Sequence, residues 1–401
     1  MKTISHEIIA GLTTFFTMSY VLILLPKILS AGGLDFGTAL AATVLTLAFA
    51  TLLLAFSADY PMVIGPGVGI AAFLIYSIVG KEATIDQVLG LVFWAGLIEF
   101  LLSITGLRQK ILIQIPDALK RASKVGIGLF FIIVGIKQLL GPIGMEGLAI
   151  GIVGILFFAL FHRFAPRFAY VFPILICWML SLFFNLSEWK GLISLPRAPH
   201  LISLDLLTIT QPELWGILLS TLLIALFDAG AGLSALSHLL GWKSPPKFNR
   251  ALLPDGLGSM LGAFLGTTSS TFYAESSSGI RAGGRTGIVG CTAAICALFA
   301  LFFYPALSSI PLFATAPTLV GLGSLLALDR EWLEWRKWCE WIPFCVTALA
   351  MPIFFNIYLG FALGFISYVL VHVLSGRRRE IHPVVWGLAA IFVIHLSLTQ
   401  F

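Results

Sequence analysis

Four carboxylates stand inside or at the edges of long apolar runs: Glu99, Asp228, Asp255 and Glu275. An ionisable group at the centre of a bilayer costs from about 2.5 kcal/mol upward, so each one needs a physical reason. Glu275 lies in STFYAESSSGIRAGGRTG (270–287), a Ser/Gly-rich patch between two apolar stretches. Asp228 lies in LLIALFDAGAG, with no charged neighbour in the run. A carboxylate in such a place accepts N–H donors from a ligand or takes up a proton. Asp255, in LLPDG, reads as a helix N-cap near one membrane face. Glu99 has no break or polar neighbour nearby, and pairing with a helix end or a basic loop is the expectation for it. Glu7, Asp35 and Asp59 fall at segment edges and read as solvated or capping residues.

The run TTSSTFY (267–273) is hydroxyl-rich and β-branched and suits a short extended strand. Hydrocarbon offers no hydrogen-bond partners, so the strand must pair within the protein. YPMVIGPGVGI (60–70) supplies a mate around Met62 to Ile64, where Pro61, Gly65, Pro66, Gly67 and Gly69 break the helical pattern. Two half-helices would then point their N-termini at one spot, with Glu275 in the first turn of one. Free N–H groups and positive dipole ends there favour carbonyl oxygens or anions, and the carboxylate favours N–H groups. A ligand with both C=O and N–H edges fits this combination. Phe15, Phe16, Phe73, Phe227 and Tyr273 fall near the same positions and could stack on a planar ligand.

The elements that position these residues follow from composition. The 401 residues are 59% hydrophobic and 11% charged, against about a quarter charged in soluble domains. Apolar segments recur from 8–30 to 357–375, fourteen in all, with a fifteenth at 383–400 after Arg377 to Arg379. The fold class is an all-α polytopic membrane protein. The broken segment is third and the polar one (268–281) tenth, which is third in a second set of seven. Seven is odd, so the second set is inserted upside down, and matched discontinuous segments in inverted repeats point to a transporter's binding site. The stretch 187–212 reads as an external linker between the repeats.

With the N-terminus in the cytoplasm, all but five of the 24 lysines and arginines face inside. Lys2, Arg108, Lys243, Arg330 and Arg336 are among those inside; Lys27, Lys81, Lys137, Lys190 and Arg197 remain outside. The basic charge is therefore topology and gives no reason to expect nucleic acid. The N-terminal run has no small-residue cleavage site and reads as a retained first helix. The five cysteines show no metal-type spacing and no disulfide framework. GPGVG (65–69) lacks the GK[ST] of a phosphate loop, and GIRAGGRTG lacks the flanking strand and acid of a dinucleotide fingerprint. No nucleophile–histidine–acid set is apparent, so neither an enzyme nor a cofactor is expected.

GLTTFFTMSYVLILLPKILSAG (11–32), DYPMVIGPGVGIAAF (59–73), LFDAGAG (226–232), ESSSGIRAGGRTG (275–287), ATAPTLVGLG (314–323) and MPIFFNIYLGFALGFISYVL (351–370) resemble the adenine/guanine/hypoxanthine permeases. These are a branch of the nucleobase:cation symporter-2 (nucleobase–ascorbate transporter) family. The resemblance implies fourteen segments in two inverted repeats, with short crossed strands in segments 3 and 10. It implies a core domain (1–107 and 213–307) moving against a gate domain (108–186 and 308–376), with 377–401 appended and dimerisation through the gate. It implies import of a purine nucleobase across the inner or plasma membrane with a cation, H+ above all. Glu275 matches the segment-10 glutamate that hydrogen-bonds the base, and Asp228 the segment-8 substrate- or proton-linked acid. The chain around Phe73, Tyr273, Ala274 and Ser276 matches the strand–half-helix junctions facing the base. Leu25, Ala71, Ala229 and Gly232 stand where the family has polar side chains, which implies altered specificity. Two rivals remain beside this reading: an anion transporter of the same architecture, and a non-transporting receptor or scaffold.

Overall fold

A computed structural model describes residues 4–141, 144–196, 201–242, 247–328 and 337–399. Lys2, Arg197, Lys243, Arg330 and Arg336 lie outside the described residues. The chain is mostly helical: α1 (Ile4–Met18), α2 (Val21–Ala31), α3 (Phe36–Ala58), β1 (Ile64–Pro66), α4 (Val68–Phe73), α5 (Ile85–Ile104), α6 (Leu107–Gln114), α7 (Asp117–Leu139), α8 (Gly144–Phe164) and α9 (Val171–Phe183). The second half continues with α10 (Trp215–Leu239), α11 (Phe248–Leu265), β2 (Ser270–Phe272), α12 (Ser276–Arg281), α13 (Ile288–Ala300), α14 (Tyr304–Ser308), α15 (Ala316–Ala327), α16 (Trp338–Ile353), α17 (Ile357–Leu374) and α18 (Pro383–Thr399). Among the described residues, eight helical spans are long and apolar enough to cross a membrane.

Local chemistry sets the boundaries. Asp35 caps α3 by accepting from the Gly37 and Thr38 N–H groups, and Thr84 with Gln87 forms a capping box on α5. The first apolar run breaks at Ser19–Tyr20. Before the break, Thr13, Thr14 and Thr17 hydrogen-bond back to carbonyls four residues earlier, which bends helices. In the third segment Pro66 cannot donate to a helix, and the chain from 64 to 66 runs extended. β1 and β2 pair antiparallel, Ile64 opposite Phe272 and Pro66 opposite Ser270. The Thr51 hydroxyl ties the pair to α3, donating to the Ile64 carbonyl and accepting from its N–H.

The helices pack in two groups. In one, α1, α2, α3, α5, α10, α11 and α13 lie together; in the other, α7, α8, α9, α15, α16 and α17 do. Small residues set the closest approaches, as expected where lipid removes the hydrophobic drive between helices. A Cβ on Gly96 of α5 would meet the Ser259 side chain of α11 at 2.7 Å, and one on Gly256 would meet the Phe100 backbone at 2.7 Å. Gly128 of α7 and Gly323 of α15 make the matching contact in the second group. Among the described residues between α9 and α10, the chain carries two 3-10 turns, Leu206–Thr210 and Pro212–Leu214. It is fastened to the first group by Ile202 N–H to Phe264 O and Asp205 N–H to Asp86 O.

α18 runs back along α17. Its His395 Nε2 accepts from the Gly216 N–H in the first turn of α10, and its Nδ1 meets the Tyr358 hydroxyl in the first turn of α17 at 2.6 Å. A helix leaving the end of α17 and returning to its start lies alongside the bundle.

Candidate functional site

The end of β2 opens into a cavity of about 420 Å³, lined by Thr17, Tyr170, Ala274, Glu275, Ser277 and Ser278. Pro166, Arg167 and Arg281 complete its wall. The volume is that of an ordinary small-molecule pocket. Glu275 is its central acid. The Tyr20 hydroxyl, placed by the α1–α2 break, donates to Glu275 Oε1 at 2.7 Å. Tyr20 stacks on Tyr170, with ring centroids 4.9 Å apart and planes 24° from parallel. A carboxylate with one oxygen held by a phenol and flat aromatic surface beside it can take N–H donors from a planar ligand.

The half-helix differs in detail from expectation. α12 starts at Ser276, so Glu275 precedes its first turn, and its side chain makes no capping hydrogen bond. It turns to Tyr20 because the Glu275 carbonyl already receives both the Ser278 N–H and the Ser278 hydroxyl. Thr17 binds the same Ser278 hydroxyl from α1 at 3.0 Å.

The other candidates separate. Ala274 lines the cavity beside Glu275. Ser276 is buried and its hydroxyl accepts from the Val63 N–H. Tyr273 is buried too, its hydroxyl donating to the Pro66 carbonyl. Both therefore splice segment 10 to segment 3. Phe73 is fully buried in the apolar core, and Phe227 packs edge-on against Phe361. Phe15 is half-buried, edge-to-face with Phe16. Phe16 is 56% exposed and is not among the residues that line the cavity. Asp228 does not border this cavity; its Oδ2 lies beside Gly69 in α4.

Two expectations about charge are corrected. Asp255 is not an N-cap: it sits in the second turn of α11, fully buried. Arg108, counted among the basic residues at the inner membrane face, is fully buried as well. Its Nη2 pairs with Asp255 Oδ2 at 2.5 Å and with Glu99 Oε1 at 3.5 Å. Gly106, with φ of 70°, turns the chain back after α5 so that α6 brings the guanidinium to Glu99.

The GGRTG stretch is explained by packing. Glu7 accepts from the Arg285 and Thr286 N–H groups, and Asp59 from the Gly287 N–H at 2.7 Å. A Cβ on Gly284 would meet Ala10, and one on Gly287 would meet the Ala55 backbone. The four departures from the family pattern do not border the cavity. Leu25, Ala71 and Ala229 are fully buried, and a Cβ on Gly232 would lie 2.9 Å from Phe272 Cβ. Tyr20, Tyr170, Thr17, Arg167 and Arg281 escaped sequence reasoning. The Thr/Ser/Tyr density of segment 1 was a signal for Tyr20; Tyr170 and Arg167 had none.

A model of the Permease family (Xan_ur_permease) matches residues 5–363. The guanine/hypoxanthine permease PbuO of Bacillus subtilis is 33% identical over 99% of this chain and 98% of its own. The adenine permease AdeQ of Escherichia coli is 31% identical over 99% of this chain and 94% of its own. Among solved structures, the transmembrane domain of the cyanobacterial bicarbonate transporter BicA aligns with a TM-score of 0.72 at 14% identity, over 88% of this chain and 96% of that one. SLC26A9 aligns at 0.70 and 15% identity, over 93% of this chain and 66% of that one.

Proposed function

The chain belongs to the Permease family, and from that premise we propose that it is an integral membrane transporter carrying a purine nucleobase by alternating access. The observation that carries the reading is the Glu275 carboxylate in the 420 Å³ cavity, oriented by Tyr20 and flanked by the Tyr170 ring. A purine offers what this site can pair with: a ring N–H donor for the carboxylate, a ring-nitrogen or carbonyl acceptor for the Ser277 hydroxyl, and a flat π face for Tyr170. Fourteen segments cross the membrane with the N-terminus inside, and α18 makes a further crossing beside α17. The group holding Glu275 and Asp228 (1–107 and 213–307) is the moving core; 108–186 and 308–376 form the gate. Asp228 and Glu275 couple import to protons. Relatives named as guanine/hypoxanthine and adenine permeases support the purine class.

The test is a thermal-shift panel of purines, pyrimidines and inorganic anions on purified protein at two pH values, with proteoliposome uptake. Ligand binding to the folded state alone raises the melting temperature by an amount that grows with the logarithm of affinity, so shifts at one ligand concentration rank the ligands. Purines should rank first, and uptake should require an inward proton gradient. Arg167 and Arg281 on the cavity wall favour a second reading, an inorganic anion as substrate. Melting shifts and uptake with anions but not purines would establish that reading instead.

A further inference from the structure

Glu99, Arg108 and Asp255 are each fully buried, and the cluster is one charge out of balance: two carboxyls face one guanidinium. Its polar atoms are also not all used. Among the described residues, Glu99 Oε2, Asp255 Oδ1 and Arg108 Nε meet no hydrogen-bond partner. Arg108 Nη1 is spent on the Leu252 carbonyl and the Ser103 hydroxyl. A buried net negative charge with vacant acceptor oxygens is far costlier than the same cluster with one carboxyl neutral.

The elements packed around the cluster bring few further charges. α3, β1 and β2 have none within their spans; α6 adds Lys110, α11 adds Arg250, α10 adds Asp228 and His238, and α18 adds His395. Asp228 lies within electrostatic reach of Asp255. The cluster also touches both halves of the crossing. Leu112, one helical turn after Arg108, rests on Gly230 of α10, two residues past Asp228. The Asp255 carbonyl receives the Ser259 hydroxyl, which in turn accepts the Ser270 N–H of β2.

We propose that Glu99, Arg108 and Asp255 form a proton-binding site separate from the purine cavity, in which the two carboxyls share a single proton. The step is proton transfer between water and a carboxylate oxygen; nothing is oxidised or reduced. With the proton bound, the cluster is neutral. Without it, Arg108 is drawn between two full charges, and α6 shifts against Gly230 while α11 shifts against β2. That the shared proton travels with the substrate rests on the purine-transport reading; the site itself does not.

Infrared difference spectra between acid and alkaline pH test the site without substrate, on the full chain in liposomes. E99Q should lose one titrating carboxylic-acid C=O band relative to wild type. D255N should also lose one, because either remaining acid pairs fully with Arg108, and the double variant should still lose one rather than two, a single proton having been shared. Unchanged bands in both single variants, or two bands lost in the double variant, would overturn the proposal. So would a band abolished by sodium at constant pH, which would make the occupant a metal cation. In transport, E99Q should bind purine with a wild-type melting shift yet accumulate less of it for a given proton gradient, Asp228 and Glu275 keeping their own share of the coupling. Wild-type accumulation in E99Q would overturn the coupling role. Absence of any purine shift in wild type would instead overturn the substrate assignment, leaving the infrared result to decide the proton site.

Discussion

Replacing Glu275 by Gln tests the centre of the site, and the structure sets the size of the effect. Tyr20 donates to one carboxylate oxygen at 2.7 Å, so the ligand's N–H groups share what the carboxylate has left. Gln keeps an oxygen for Tyr20 and nearly the same volume, so the fold is retained. What is lost is the charge on the acceptor, and a hydrogen bond to a charged group is worth about 1.5–3 kcal/mol. At about 1.4 kcal/mol per tenfold in affinity, purine binding should weaken roughly 10- to 150-fold. Tyr20→Phe should weaken it less, by about 1 kcal/mol or roughly fivefold, because the carboxylate survives but its orientation is lost. Both act through the same carboxylate, so the double variant should bind little worse than E275Q alone, a coupling of about 1 kcal/mol. Calorimetric titration with guanine, hypoxanthine and adenine measures all four corners of the cycle. Wild-type affinity in E275Q, or strict additivity of the two substitutions, would refute the assignment of Glu275 as the ligand's acceptor.

Ser276→Ala removes the acceptor of the buried Val63 N–H and should cost about 1–3 kcal/mol, read as a lower melting temperature with the purine shift preserved. Gly232→Thr restores a family-like side chain but drives it into Phe272; about 1–3 kcal/mol of overpacking should appear in the melt, with no change in purine ranking. Phe16→Ala alters an outward-facing ring, so the melting free energy should move by no more than about 0.5 kcal/mol. Uptake by that variant should match wild type, since the ring does not border the cavity.

How far the site was legible depends on the range of the interactions involved. Glu275 stood out because an acid in a hydroxyl-rich break is anomalous within its own segment, while Ala274 entered through the family resemblance; both line the cavity. The strand at 270–272 followed from residues that disfavour a helix, and its mate at 64–66 lies two residues beyond the start proposed for it. Ser276 and Tyr273 were expected at the junction facing the ligand; in the structure their hydroxyls bind the Val63 N–H and the Pro66 carbonyl of the opposite segment. Whether a side chain near a crossing faces ligand or backbone is set by the partner strand, about 200 residues away. Phe16 failed for a simpler reason: in a chain with 33 phenylalanines, ring identity carries little information about the face it occupies.

Local sequence determined what hydrocarbon alone demands: apolar runs long enough to span, breaks at Pro and Gly, and a polar segment too costly to be there without a partner. It also determined the capping acid Asp35, because a cap is satisfied within three residues of itself. Tertiary structure decided everything that needs two distant segments at once. It set Tyr20 against Glu275 across 255 residues, brought Arg108 to Asp255 across 147, and returned α18 to Gly216 through His395. Hydrogen bonds and ion pairs act over a few ångströms, and which groups come that close is fixed by helix packing. Asp255 therefore read as a cap from its setting in LLPDG and became one of three members of a buried charge cluster once α5, α6 and α11 were packed.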